Sequence, residues 1–210
     1  MMKNSEWGAA AYLSASSYGA GVNKVQINSA STSTGYTTGC GPQSDGDEDY
    51  GSTCNKYNTT IGQLASTTNN TYGIYDMSGG VWEYVMGGYS TSTTASGTDD
   101  YISTAVQPPY ADIYPSSVFT NNGQLTNNKN NNQCTWAACG GHALYETKTV
   151  DTVSSSTQSW GSDLSKFVYS SYPWFLRGGD LLNGSLAGVF ASSSHDGDAY
   201  HSDGFRVVLL

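Results

Sequence analysis

The pattern of hydrophobic and polar positions divides the chain into a few short apolar stretches separated by long polar ones. The first apolar stretch has helical spacing and consists of Trp7, Ala10, Ala11 and Leu13. Asn4 or Ser5 can cap this stretch, Glu6 lies in its first turn, and Gly19 follows it. The pattern therefore predicts an N-terminal helix.

The stretch 70–88, NTYGIYDMSGGVWEYVMGG, is the most apolar and aromatic part of the first half of the chain. We expect core positions at Ile74, Met77, Val81, Trp82, Tyr84 and Val85. The sequence Ser78-Gly79-Gly80 predicts a tight turn between them. Near the C-terminus, residues 167–175 have strand character, and GFRVVLL is predicted to be a short, buried closing strand.

Two long regions follow neither a helical nor a strand period. Residues 89–159 are rich in Thr, Ser and Asn, so we interpret them as a long polar insertion. Residues 180–204 are a mixture of Ser, Asp, Gly, His, Tyr and Leu, although they lie between the fold-building sequences RGG and GFRVVL. A chain is expected to close its core with its last strands, so this second irregular region needs an explanation.

Composition narrows the choice of partners. A chain of 210 residues is expected to form a single domain. Its formal net charge of −9 disfavours nucleic acid and anionic membrane surfaces, because both would repel it. No apolar run approaches the roughly 20 residues of a membrane span, so we expect no membrane insertion. No secretion signal opens the sequence, and we expect the domain to lack its N-terminal part here.

The four cysteines form two local pairs, Cys40 with Cys54 and Cys134 with Cys139. This spacing in a chain with few charges predicts two surface disulfides and an oxidising compartment. The alternative is four free thiols in a cytoplasmic protein. A zinc site is disfavoured, because neither pair has C-x-x-C spacing.

Three segments resemble the formylglycine-generating-enzyme (sulfatase-modifying-factor) family. NSEWGAAAYL resembles the family's first helix, YGIYDMSGGVWEYV resembles its G-L-Y-D-M-x-G-N-V-W-E-W motif, and FLRGGD with GFRVVL resembles its closing segment. The resemblance implies an α+β, C-type-lectin-like fold that is rich in loops and has short antiparallel strands. The polar insertion lies outside these matches.

The enzymatic activity of that family, as the resemblance implies, uses two cysteines near the C-terminus to bind copper. Residues 169–210 contain no cysteine, so we expect no such oxidase activity and no copper cofactor. The resemblance also allows a structural calcium ion near Glu83, but Gly80 stands where the family has Asn. The alternative function is a degenerate sulfatase-modifying-factor-like protein with a carbohydrate-binding or other catalytic role.

RGGDLLNGSLAGVFASSS and the terminal FRVVL resemble the variable proteins of diversity-generating retroelements, whose motif reads R-G-G-x-x-x-N-G-S-x-A-G-V-F. In those proteins adenines of the C-terminal coding segment are mutated, and the fold displays the changed side chains to a ligand. Adenine mutagenesis of Asn codons cannot produce Lys, Glu, Gln, Met or Trp. None of these five occurs in the 25 residues 180–204, although 26 of 210 residues in the chain belong to them, so about three would be expected.

The resemblance implies a variable ligand-binding region at 177–210 in a non-enzymatic recognition protein, extracellular or on a bacterial or phage surface. Its partner would be a protein or glycan on another cell. The candidate variable positions are Asp180, Leu182, Leu186, Ser192, Ser193, Ser194, His195, Asp196, Asp198, Tyr200, His201, Ser202 and Asp203. The expected fixed frame is Gly184, Ala187, Gly188, Val189 and Phe190, with the last two buried.

Two other interpretations of this region stay open. His195 and His201, with Asp196, Asp198 and Asp203, could form a metal or acid–base cluster, although exposed loop residues are favoured. A structural component of a surface layer or pilus tip is compatible with ligand binding.

Overall fold

A computed structural model describes residues 1–21, 23–29, 37–38, 54–90, 110–115, 139–144, 157–158, 160–168 and 172–208 of the chain. The α-helix that lies wholly within these ranges is α1 (Asn4–Ala15). The strands are β1 (Thr37–Thr38), β2 (Cys54–Asn55), β3 (Trp82–Ser90), β4 (Asp112–Pro115), β5 (Thr157–Gln158), β6 (Leu164–Ser165), β7 (Trp174–Arg177), β8 (Ser192–His195) and β9 (Asp203–Phe205). Short 3₁₀ helices span Gly62–Ala65, Trp160–Ser162 and Gly184–Leu186.

Seven of the strands form one mixed sheet, in the order β4-β3-β7-β8-β6-β5 with β9 added beside β3. Strand β7 runs antiparallel to both β3 and β8. The other edge of β3 is shared: β9 pairs in parallel with its start, and β4 pairs in parallel with its end. The predicted α+β class is confirmed, but the sheet is mixed, whereas antiparallel strands were expected. Strand β7 precedes the irregular region and β8 lies inside it, and both are in the middle of the sheet.

Helix α1 packs on one face of this sheet, which we call the helix-side face. Its first turn is held from two directions: the Lys3 N–H donates to Glu6 Oε2 at 2.7 Å, and the Ser5 N–H donates to Asp112 Oδ2 of β4 at 2.6 Å. Both carboxylates satisfy amide groups that a helix N-terminus leaves without partners. The helix prediction is confirmed, but the cap residue is Lys3 rather than Asn4 or Ser5.

The Asn4 side chain does not cap the helix as predicted but links the helix to β4. It is fully buried and donates to the Tyr114 hydroxyl at 2.8 Å. Gly87 of β3 makes this approach of helix and sheet possible, since a Cβ at that position would lie 2.8 Å from the Asn4 Cβ. Leu13, predicted to be part of the apolar stripe, is exposed, whereas Ser14 is buried beside the sheet.

The main core lies between α1 and the helix-side face. Its largest members are Trp7, Met77, Val85, Tyr89, Tyr114, Phe167, Phe175 and Phe190. A smaller cluster lies on the opposite, or second, face and contains Trp82, Leu164, Leu176 and Ala191, with Tyr84 and Leu186 packed against it. The predicted turn at Ser78-Gly79-Gly80 is present, with positive φ angles at both glycines.

Several apolar residues that the sequence placed in the core are exposed. Ile74 and Val81 are among them, and so is the closing segment: Phe205 is 64% exposed, and Val207 and Val208 are also exposed. The prediction of a buried closing strand is therefore wrong. Phe205 pairs with Tyr84 and so lies on the second face, where the cluster is small, and the two valines follow the end of β9.

The region predicted as a polar insertion contributes to the core where it is described. It supplies β4, whose Tyr114 is buried, and residues 139–144, in which Cys139, Ala143 and Leu144 are buried. Cys139 is in a disulfide, but its side chain is fully buried, so the prediction of a surface location is wrong for this cysteine. Cys40 and Cys134 lie outside the described residues, as does most of 89–159, and the pairing of the cysteines stays a prediction.

Candidate functional site

The irregular segment Asp180–Gly204, called the tail segment from here on, is held by three contacts to Trp7 of α1. The guanidinium carbon of Arg177, before the segment, lies 5.9 Å from the Trp7 ring centroid, and that of Arg206, after it, lies at 5.4 Å. Both distances are typical of cation–π contacts. The Trp7 Nε1–H donates to the Val189 carbonyl at 2.8 Å in the middle of the segment. Both ends and the centre of the segment are thus fixed to one buried side chain.

Arg206 strengthens the closing end. Its Nε and Nη2 donate to the two carboxylate oxygens of Glu83 in β3, and it also donates to the Tyr75 carbonyl at 3.2 Å and the Asp76 carbonyl at 3.1 Å. A forked, charge-assisted pair of this kind fixes the orientation of both side chains. The arrangement does not fit Glu83 as a calcium ligand, because Arg206 already neutralises its charge and occupies both oxygens.

The register of β7 and β8 decides which tail side chains reach the second face. Trp174 pairs with His195 and Leu176 with Ser193, so Ser193 and His195 share the second face with Leu176. Ser192 and Ser194 alternate to the helix-side face. Ser192 is 1% exposed, and its hydroxyl donates to the Lys166 carbonyl at 3.2 Å. Its assignment as a ligand-contacting position therefore needs correction, because its side chain points inward.

The His195 side chain contacts two carboxylates and two aromatic rings. The Tyr84 hydroxyl lies 2.6 Å from His195 Nδ1 and 3.0 Å from the Asp198 carbonyl oxygen. Asp196 Oδ1 is 2.9 Å from the same Nδ1. The His195 ring also makes edge-to-face contacts with Tyr84 and Tyr200, with centroids 5.7 and 5.1 Å apart. This pair of contacts fixes the imidazole between two aromatic rings.

Tyr84 is a site residue that the sequence did not reveal. The sequence predicts a core position for Tyr84. Nothing in the apolar run around it indicates that its hydroxyl contacts the tail segment. Burial, and next the nearby carboxylates of Asp203, Asp196 and Asp198, raise the pKa of the Tyr84 phenol well above its ordinary range. The phenol therefore stays protonated and acts as a hydrogen-bonding support.

Asp203, the first residue of β9, lies near His195 and Tyr84. Its side chain is 6% exposed, and its Oδ2 is 4.0 Å from His195 Nε2. Burial raises the pKa of the Asp203 carboxyl, and the nearby His195 partly offsets this rise. The Asp203 side chain is therefore covered beside the histidine and is not a surface contact.

The exposed candidate positions form a smaller set than the sequence predicted. Leu182 is 81% exposed and Tyr200 is 53% exposed. The five exposed members, called the display positions from here on, are Leu182, Asp196, Asp198, Tyr200 and His201. Ser193, Ser194, His195, Ser202 and Asp203 are half-buried as whole residues.

Two further candidate variable positions, Asp180 and Leu186, make contacts that stabilise the fold. Asp180 Oδ1 accepts the N–H groups of Leu182 and Asn183, each at 2.9 Å, which is the geometry of a side chain that stabilises a turn. Leu186 packs against the smaller core cluster. In the expected frame, the predicted burial of Val189 and Phe190 is confirmed; Ala187 and Gly188 are also buried, and Gly184 is half-buried.

The group around His195 only partly matches the metal or acid–base cluster considered from the sequence. It brings His195 to Asp196 and Asp203, whereas His201 is exposed on the loop. In the described part of the chain, no group of three or more His, Cys, Asp or Glu side chains is placed to hold a metal ion.

No family model, curated protein or solved structure matches this chain. Among the described helices, none has both the length and the apolar character needed to cross a membrane.

Proposed function

We propose that this protein is a non-enzymatic recognition domain, and that its display positions bind a protein or glycan on another cell. The observation that carries the proposal is the contrast within the tail segment. Five consecutive residues, Ala187–Ala191, which include four of the five expected frame residues, are buried, while the display positions on either side of them are exposed. Exposed side chains on a fixed backbone can change with little loss of stability.

The chemistry of the display positions suits recognition. Tyr200 offers a large, rigid contact area with few rotatable bonds, and Leu182 offers an exposed apolar contact. Asp196, Asp198 and His201 add polar groups that can form hydrogen bonds. Fixing His195 between Tyr84 and Tyr200 lowers the entropic cost of presenting these groups to a ligand.

We also propose the finer assignments of fold and location. The fold is of the C-type-lectin-like, formylglycine-generating-enzyme type, which is supported by a first helix packed on a mixed sheet and by Arg206 holding Glu83 of the VWEY motif. The location is extracellular or on a cell surface, bacterial or phage-borne, which is supported by the disulfide at Cys139. The tail is diversified by adenine mutagenesis.

The DNA beside the gene tests the diversification directly. We expect a reverse-transcriptase gene and a near-copy of the coding segment for residues 177–210 that differs from it only at adenines. The differences should fall at the codons of the display positions and spare those of Ala187–Ala191. Differences at other bases, or within the codons of Ala187–Ala191, would refute this part of the proposal.

A pair of display libraries tests ligand binding. The first library randomises the five display positions, and the matched control library randomises five exposed apolar positions outside the tail, which are Tyr18, Tyr57, Ile61, Tyr72 and Tyr110. Both are selected on immobilised lysozyme and on an immobilised mannose-rich glycan. We expect folded binders from the tail library and few from the control. Equal recovery from both libraries, or loss of folding in the tail library alone, would contradict the proposal.

A further inference from the structure

A cavity of about 160 Å³ lies on the helix side of the molecule, away from the display positions. The end of α1, residues 23–25, the 3₁₀ helix Trp160–Ser162 and residues 188–190 enclose it. None of the thirteen candidate variable positions lines it. A cavity of about 150 Å³ holds one benzene-sized ring, so this cavity has space for a single six-membered ring whose substituents project out of its open side.

One wall of the cavity is a fixed indole ring. Trp160 is 49% exposed, yet its ring is held edge-on by Tyr12, with centroids 6.0 Å apart, and it packs against Phe190 at 5.4 Å. Val25 and Val189 add apolar surface to the lining. A large aromatic face that is both exposed and immobilised is suited to an apolar ring face.

The polar part of the cavity is the ion pair of Lys24 and Asp163, whose net charge is zero. Lys24 Nζ lies 2.6 Å from Asp163 Oδ1, and the Asp163 side chain is buried whereas that of Lys24 is 44% exposed. Asp163 Oδ2 accepts the Phe190 N–H at 3.1 Å. The carboxylate is packed so tightly that a Cβ on Gly188 would lie 1.9 Å from its Oδ2. Asp163 is therefore a rigid, covered carboxylate that holds Lys24 in place, and the Lys24 ammonium is a donor at the mouth of the cavity.

We propose that this cavity is a binding site for one neutral sugar ring. A pyranose has an apolar face of C–H groups that can lie on Trp160, and hydroxyl groups that can accept from the half-exposed Lys24 ammonium. The Lys24–Asp163 pair carries no net charge, so it favours a neutral ligand over an anion or a cation. The lining is independent of the display positions, so the cavity keeps its ligand whatever the tail binds.

Saturation-transfer NMR with glucose, galactose, mannose and N-acetylglucosamine tests the proposal on the full chain. We expect at least one of the four to bind in the millimolar range. Trp160→Ala should weaken that sugar about tenfold, because the aromatic contact is lost, while Trp160→Phe should keep most of the affinity. Ala15→Phe, at an exposed residue of the lining, should block binding, and Leu13→Phe, on the same helix but outside the lining, should leave it unchanged.

Three results would overturn the proposal. One is that none of the four sugars gives a signal while the chain is folded by circular dichroism. Another is a sugar signal that neither Trp160→Ala nor Ala15→Phe reduces. The last is binding of apolar rings such as indole or cyclohexanol without binding of any of the sugars. Because the libraries at the display positions do not touch this cavity, either proposal can fail without the other.

Discussion

Replacing Arg206 by Gln is expected to loosen the closing end of the tail segment and to destabilise the whole domain. Arg206 donates four hydrogen bonds, two to the Glu83 carboxylate and one each to the carbonyls of Tyr75 and Asp76, and its guanidinium packs near Trp7. The substitution leaves the Glu83 carboxylate, which is 8% exposed, without its opposite charge. An uncompensated buried charge is among the larger single-residue losses of stability.

The magnitude follows from the burial of the two partners. Breaking a fully buried ion pair costs about 3–5 kcal/mol. Because the Arg206 side chain is 21% exposed, water can solvate part of the Glu83 charge in the variant. We therefore expect the free energy of unfolding to fall by about 2–4 kcal/mol for Arg206→Gln. Arg206→Lys keeps the charge but loses the forked geometry, so we expect a smaller loss of about 1–2 kcal/mol.

Urea unfolding at pH 7 of the wild type, Glu83→Gln, Arg206→Gln and the double variant measures the coupling of the pair. We expect the double variant to be more stable than the sum of the two single losses predicts, by at least about 1 kcal/mol, because it leaves no buried charge. The reasoning is refuted if Arg206→Gln costs less than about 1 kcal/mol or if the two losses simply add.

Three further predictions concern the side chains of the tail segment and the Tyr84 hydroxyl that contacts them. Tyr84→Phe should cost about 1 kcal/mol and speed amide exchange in residues 196–202, since His195 loses its hydroxyl partner. Asp203→Asn should stabilise the domain at pH 8. Folding raises the pKa of the Asp203 carboxyl, so the folded state disfavours its ionised form. The wild type therefore keeps its full stability below the unfolded-state pKa and loses stability as the pH rises through the folded-state pKa. Because Asn does not ionise, the gain in stability should be present at pH 8 and should vanish near pH 3. Ser192→Leu should cost about 1–3 kcal/mol, whereas Ser193→Leu should cost less than half as much.

For each of these three predictions, one result would contradict the reasoning. Amide exchange in residues 196–202 that Tyr84→Phe does not change would mean that the hydroxyl does not order the loop. A stability gain from Asp203→Asn that is the same at pH 3 and pH 8 would exclude a raised pKa as its cause. Equal losses for the two serine variants would mean that the alternation of faces in β8 is wrong.

Local patterns in the sequence predicted those parts of the fold that depend on residue type and spacing. The N-terminal helix, the turn at Gly79-Gly80 and the burial of Met77 and Val85 follow from helical spacing, turn chemistry and apolar runs, whereas the burial of Phe190 was expected from the resemblance of its segment to the variable proteins. The α+β class is confirmed, while the C-type-lectin-like fold stays a prediction.

Long-range partners could not be found in this way. The hydrogen bond of Trp7 to Val189 joins residues 182 positions apart, and no local pattern indicates it. The tail serines show the same difficulty, because Ser192 and Ser193 are identical in type. Only the register of β7 with β8 shows that Ser192 points inward and Ser193 toward the second face.

Simultaneous replacement of the five display positions by Ser, with the free energy of unfolding measured in urea, tests the central claim most directly. If the tail segment is held by Trp7, Arg177, Arg206 and the buried residues Ala187–Ala191, stability should fall by less than about 2 kcal/mol and unfolding should stay cooperative. A larger loss, or a transition that is no longer cooperative, would show that these side chains help to hold the fold, and the account would be contradicted.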